Sequence, residues 1–203
     1  QYGANNPVNN IDVNGDSIWY TRNGDIVTMH VTAKIFNNSS DNINMARAAK
    51  DIVSDIKSTY EGKFEWSDNK TYNLKVDMDL KVATSMKDVE NSDHLFVLAD
   101  SDSKGARGAT SMLGGKVMTL ASSDFANNNW LSNNLSYNKT FTATHEFGHA
   151  IGLSHSQNPF NIMKQGGVVH NSNSNQRVIM LQQQNNLNNN LVVDIYNLGL
   201  KWR

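Results

Sequence analysis

The sequence predicts a single α+β domain, with helices before, within and after a mixed sheet. Three observations carry that reading. Apolar side chains alternate strictly with polar ones over 26–36 and again over 72–82. Between them, apolar residues recur at helical spacing. A continuous apolar run then follows at 95–99. At 203 residues the chain is long enough for one domain with its own core and short for two.

Two turn signals come first, Asn14-Gly15 and Asn23-Gly24, each suited to a type I′ hairpin in which both central residues take positive φ. From Ile26 to Phe36, Val27, Met29, Val31, Ala33 and Ile35 form one face and Thr28, His30, Thr32 and Lys34 the other, a half-buried strand. A helix follows, capped by Ser40 or Asp41, with Met45, Ala49, Ile52, Val53, Ile56 and Tyr60 on its buried stripe and Gly62 as its stop. Tyr72, Leu74, Val76, Met78, Leu80 and Val82 give a second strand. Leu95 to Ala99 reads as a buried central strand. Short strands at Gly108 to Met112 and Lys116 to Ala121 flank a turn at Gly114-Gly115. A helix is expected from about Thr140 to Leu153, a loop from Gln157 to Gln176, and a last helix from about Val178 to Leu198 on Leu187, Leu191, Ile195 and Leu198.

Composition removes several classes of function. Net charge is -1 and no stretch concentrates Lys and Arg, which argues against nucleic acid and anionic membranes as partners. No apolar run approaches the roughly 18 residues of a membrane span, so membrane insertion is not expected. The chain has no cysteine, which excludes disulfides, thiol nucleophiles and Cys-rich zinc sites; any metal must be held by His, Asp or Glu. The opening residues Gln1 to Asn6 are not a signal peptide, and the expectation is an exported bacterial protein read without its leader. The Asn runs at 127–129 and 188–190 read as solvated surface.

The chemistry sits at Thr144-His145-Glu146-Phe147-Gly148-His149-Ala150-Ile151-Gly152-Leu153-Ser154-His155. Two histidines four apart on a helix project from one face, close enough to grip one ion. Glu146 lies beside the first of them and can reach a water on the metal without ligating it. Gly152 can take the left-handed conformation that ends the helix, so the chain doubles back and offers His155 as third ligand. Three imidazoles leave one coordination position open, the arrangement of a catalytic rather than a structural zinc. Simple frequency multiplication puts the chance of this extended pattern on the order of 10⁻⁵ per chain.

With Asn161-Ile162-Met163 following, its Met163 eight residues after His155, the segment resembles the metzincin zinc proteases. Ser156 and the spacing to Met163 make it most similar to the matrixins. That resemblance implies a metzincin-like catalytic domain: a mixed, mostly parallel twisted sheet with an antiparallel edge strand, an active-site helix and a C-terminal helix. Residues 1–156 would form an upper part and 157–203 a lower one. It implies one catalytic Zn2+ on His145, His149 and His155, Glu146 as general base, and Met163 as an apolar floor beneath the ligands. It further implies a monomeric, secreted zinc endopeptidase acting on extracellular or surface proteins. Gly108, Ala109, Thr110 and Ser111 would be the edge that binds a peptide substrate, with Val168 and Val169 in the wall of the pocket beside the metal.

The departures from the family pattern are informative. The loop where matrixins carry a structural zinc and calcium is only Ser101 to Arg107 here and has no histidine, so a second zinc is not expected; calcium at Asp100 and Asp102 is left open. Gln165 stands where some metzincins place a tyrosine ligand, and a cysteine switch is excluded within these residues. The competing reading is a catalytically silent, zinc-stabilised binding or adhesion module on the same fold. His30 is expected at the surface, His94 as a polar strand end, and His170 in the loop after the Met-turn; Trp19, Trp66, Trp130 and Trp202 are scattered and read as packing residues.

Overall fold

The longest alternating segment becomes the axis of the sheet. In a computed structural model, which describes residues 18–100, 108–126, 136–166 and 172–183, strand β2 (Ile26–Asn37) buries Val27, Met29, Val31, Ala33 and Ile35. Strand β1 (Ile18–Asn23) pairs antiparallel with its first half, Asn23 opposite Ile26. The hairpin therefore turns on Gly24 and Asp25, one residue later than expected. Only Gly24 has positive φ, at 63°, which is the type II′ pattern rather than I′. Asn14-Gly15 lies outside the described residues.

Helix α1 (Met45–Tyr60) is capped by Asn44, whose side chain accepts from Arg47 N–H, not by Ser40 or Asp41. Asp41 instead accepts from Ser122 Oγ, and Ser40 N–H donates to Asp100. Gly62 does end the helix, and at once it opens strand β3 (Gly62–Glu65), antiparallel to strand β4 (Thr71–Ala83). Four residues with one buried apolar side chain, Phe64, are too short to show a period. In β4 the alternation buries Tyr72, Leu74, Val76 and Met78, then loses its partner layer: Leu80 is half-buried and Val82 is exposed.

Strand β5 (His94–Ala99) is buried on both faces, as its unbroken apolar run required. Phe96 and Leu98 join the main core, whereas Leu95 and Val97 face a second cluster with Phe36, Ala83 and Val117. Strand β6 (Gly108–Thr110) ends two residues before the expected Met112, and strand β7 (Val117–Ala121) begins one after Lys116. The sheet runs β3-β4-β2-β5-β7-β6, with β1 beside β2. The β4, β2, β5 and β7 neighbours are parallel; β6 is the expected antiparallel edge, and β3 adds a second one at the far side.

Helix α2 (Ser136–Ala150) packs Phe141, Ala143, Phe147 and Ala150 into the main core. Helix α3 (Ser174–Gln183) starts earlier than expected, because Asn173 and Gln176 form a reciprocal capping box: each side-chain oxygen accepts the other's backbone N–H at 3.0 Å. The remainder of the expected last helix, from 184 on, lies outside the described residues. Among the described residues no helix is long and apolar enough to cross a membrane.

Candidate metal centre

Helix α2 ends in a Schellman turn that aims the site. Gly152 has φ 89°, its N–H reaches His149 O at 3.0 Å, and Leu153 N–H reaches Gly148 O at 2.8 Å. The chain reverses there and returns His155 to the face that carries His145 and His149. The ligand atoms of the three histidines all lie within 4.8 Å of one another, and this is a metal-capable group that the sequence had assembled in advance.

The ring nitrogens are committed in a telling way. His145 Nδ1 lies 2.7 Å from Ile162 O and His149 Nδ1 lies 2.7 Å from Leu153 O. A carbonyl only accepts, so both Nδ1 atoms carry the proton and both Nε2 atoms keep a lone pair. His149 Nε2 and His155 Nε2 stand 3.1 Å apart, close to the about 3.3 Å between two nitrogens on a tetrahedral zinc with bonds of 2.0–2.1 Å. Burial pushes the pKa of His145 and of His149 below the ordinary imidazole range, in both cases against a carbonyl hydrogen bond that raises it. Neutral imidazoles with backbone-fixed tautomers are the form that binds metal. The donor set therefore fits zinc.

Glu146 is 7% exposed and projects from the next position of the same helix. Its Oε2 accepts from Thr110 Oγ1 at 2.7 Å, and the same hydroxyl lies 3.0 Å from Glu146 O. Burial raises the carboxyl pKa; the Thr110 hydrogen bond and the charges of His149 and His155 oppose that rise. Gly108 allows the contact. A Cβ there would sit 2.4 Å from Thr142 Cγ2 and 3.1 Å from Glu146 Oε1, so only glycine lets β6 lie this close to the helix.

The turn that carries Met163 is held by a closed circuit. Met163 is fully buried, with its backbone N–H on Asn161 Oδ1 and its carbonyl on Ser156 N–H. The Asn161 and Gln176 side-chain amides pair reciprocally, at 2.7 and 2.9 Å. The neighbouring Arg177 donates to Tyr60 O and Glu61 O, and Tyr60 OH donates to Thr144 O, one residue before His145. From His145 the path closes through Ile162 O. Gly148 completes the fit, because a Cβ there would lie 2.2 Å from Met163 Sδ and 2.5 Å from Tyr60 OH.

Of the expected substrate residues, Gly108, Ala109 and Thr110 are on β6, the outermost strand at that side. Ser111 is in the turn after it, not in the strand. Ser111 N–H donates to Val117 O, and the two stand in register, so Ala109 and Thr119 are also a hydrogen-bonded pair. The N–H and C=O of Gly108 and Thr110 then point away from β7, toward the open edge. Val168, Val169, His170, Asp102, Trp130 and Trp202 lie outside the described residues. Asp100 is engaged by Ser40.

His94 opens β5, at the strand end as expected, and His30 lies partly exposed on the outward face of β2, where it stacks on Trp19 and bonds to both Thr21 and Asp77. His94 is buried, and that burial, with the Lys116 ammonium adding to it, lowers its pKa to about 3. Tyr60, Asn161, Gln176 and the side chain of Thr110 were not singled out for the site. Only the Asn173-x-x-Gln176 capping pattern offered a local signal.

The sequence model of the matrixin family matches residues 19–186, from β1 through α3 and across the whole metal centre. The chain belongs to the matrixin family. Matrixins are zinc metallopeptidases, and this matrixin presents a three-histidine group able to hold the metal. Among solved structures, it is similar to metalloproteinase-II from Bacteroides fragilis, at 15% identity over 74% of this chain and 52% of that one, with a TM-score of 0.43. The matrixin thus spans about half of that protein's length. It is also similar to the archaemetzincin of Archaeoglobus fulgidus complexed with malonate, at 17% identity over 73% and 90% of the two chains, TM-score 0.39. For the archaemetzincin of Methanopyrus kandleri the identity is 12% over 84% and 97%, with a TM-score of 0.44. No curated protein matches the chain.

Proposed function

We propose that this matrixin is a secreted zinc endopeptidase that hydrolyses peptide bonds of proteins outside the cell. The observation that carries the reading is the convergence of His145, His149 and His155 beside a buried Glu146 carboxylate that has one oxygen tied down. His145 and His149 would hold the zinc through Nε2, their rings fixed by Ile162 O and Leu153 O, and His155 would be the third ligand. Zinc, when bound, acidifies water and polarises a carbonyl.

The remaining work falls to the chain's own residues. Glu146 takes a proton from the attacking water and returns it to the leaving amine. Burial, which holds its pKa above the usual carboxylate range, suits it to both halves of that transfer. The open edge of β6 at Gly108 and Thr110 offers backbone donors and acceptors to an extended substrate, which gives affinity with little sequence selectivity. Hydrogen bonds to the substrate backbone also hold the scissile bond in place over the histidines.

The test is cleavage of a mixed peptide library by the zinc-loaded chain, by the chelated chain and by Glu146→Ala. Hydrolysis confined to the zinc-loaded native protein is the expected result, with a loss of at least about 100-fold in the variant. Equal cleavage by both proteins would overturn the assignment of Glu146. No cleavage by either, with zinc bound, would favour a silent binding module.

A further inference from the structure

We propose that Thr110 is a positioning residue for the general base, linking the strand that receives substrate to the carboxylate that activates water. The inference rests on the hydrolytic reading above and adds a residue to it. Thr110 is the last residue of β6, and its two functions point in different directions. Its backbone N–H and C=O face the open edge, where an extended peptide would pair. Its side chain turns to helix α2 and places Oγ1 at 2.7 Å from Glu146 Oε2.

That contact divides the carboxylate. Oε2 is held by the hydroxyl, whereas Oε1 lies beside the space left by the missing Gly108 Cβ; on the hydrolytic reading, Oε1 is the oxygen that takes the proton from water. Gly108 and Thr110 are two apart on a strand and so share the face over Glu146: one supplies room, the other a hydrogen bond. An oxygen distance of 2.7 Å is in the range of a hydroxyl donating to an ionised carboxylate.

Oγ1 donates to Oε2 and also lies 3.0 Å from Glu146 O. A proton taken from water on Oε1 leaves Oε2 an acceptor, so the Thr110 hydrogen bond persists while that proton passes from Oε1 to the leaving amine. Thr110 itself gains and loses no proton. Valine in place of threonine keeps the shape of the side chain and removes only this hydrogen bond.

The experiment compares native protein, Thr110→Val and Thr110→Ser, each zinc-loaded, by steady-state cleavage of a peptide and by affinity for acetohydroxamate, a small chelating acid. Zinc content and zinc affinity, from competition with a chromophoric chelator, are measured alongside. A hydrogen bond to a charged group is worth enough that Thr110→Val should lower kcat by about 10- to 100-fold, with KM and zinc affinity near native. Thr110→Ser should recover most of the loss. Acetohydroxamate, whose O–H and N–H are donors that a carboxylate beside the metal can accept, should bind more weakly to Thr110→Val and regain affinity in Thr110→Ser. A native kcat in Thr110→Val, or equal impairment in Val and Ser variants, overturns the proposal. If the native protein binds zinc and cleaves nothing, the hydrolytic reading fails, and acetohydroxamate alone decides: a Val-specific loss upholds Thr110 as holder of Glu146, and equal affinities refute it.

Discussion

His30 and His149 begin alike and end differently. Each gives Nδ1 to an oxygen, His30 to Asp77 at 3.0 Å and His149 to Leu153 O at 2.7 Å. On the sheet, His30 then spends Nε2 on Thr21 Oγ1 at 2.8 Å, and Trp19 stacks over the ring at 5.1 Å. In the metal centre, His149 Nε2 meets another imidazole at 3.1 Å. The first ring is satisfied by the protein; the second holds a lone pair for something else. An oriented histidine is therefore not by itself a ligand. What makes a metal centre is several lone pairs left unused at one point by rings that are otherwise tied down.

The most direct way to break that contrast is to remove one histidine from each region. His149→Ala should abolish stoichiometric zinc and peptide cleavage together, read by metal analysis and by the library assay. A variant that kept a full zinc complement would dismiss the three-histidine site. Gly148→Ala tests the floor. Its new methyl collides with Met163 Sδ and Tyr60 OH, so stability should fall by about 1–3 kcal/mol in urea unfolding, and zinc affinity should fall with it. Wild-type behaviour would mean that Met163 is not seated against the ligand helix.

Gln176→Leu leaves the buried Asn161 Nδ2 without the acceptor it has in Gln176 Oε1 and should cost about 1–3 kcal/mol. A loss confined to stability, with zinc affinity untouched, would show that the circuit from α3 to His145 holds the fold without tuning the ligand.

His94 supplies a contrast in pH. Its imidazole falls to about 3 in the folded chain, from an ordinary 6.5, through burial first and the Lys116 charge second. The folded pKa is depressed, so below 6.5 the unfolded chain binds a proton that the folded chain refuses. Stability is full above pH 6.5 and declines as pH falls toward 3, by up to about 1.4 kcal/mol per pH unit from this group. His94→Gln should flatten that part of the acid limb of a stability–pH curve; an unchanged slope would place the acid sensitivity elsewhere. Smallest of all, His30→Ala should cost under about 1 kcal/mol, because its partner Asp77 is largely exposed, and should leave zinc content unchanged. Loss of zinc in that variant would erase the distinction between the two histidine regions.

Legibility followed the range of the interaction. Strands β2, β4 and β5 and helix α1 announce themselves because burial of one face repeats every second or every third to fourth residue, and many residues vote on the same period. Strand β3, with Phe64 as its one buried side chain, offers no period to read, and β1 stood behind a turn signal that was itself one residue out. The helix start at Ser174 was readable from Asn173 and Gln176, but polar residues in a polar segment do not call attention to a cap. The cap of α1 went to Asn44 because Asp41 was taken up by Ser122, a contact 81 residues away.

What the sequence determined by itself is the local chemistry: two histidines one helical turn apart, a glutamate beside the first, a glycine that can turn the chain, and a third histidine just beyond. All of these are set by helix geometry and by the backbone freedom of one glycine, so spacing alone encodes them. Only the tertiary structure decided which ring nitrogen His145 and His149 keep, that Thr110 holds one oxygen of Glu146, and that Tyr60, Arg177, Gln176 and Asn161 tie the turn at Met163 to the histidine helix. Those partners are 15 to 117 residues apart in the chain. Hydrogen bonds act over about 3 Å of space and take no account of sequence separation, so no periodicity records them before the chain has folded.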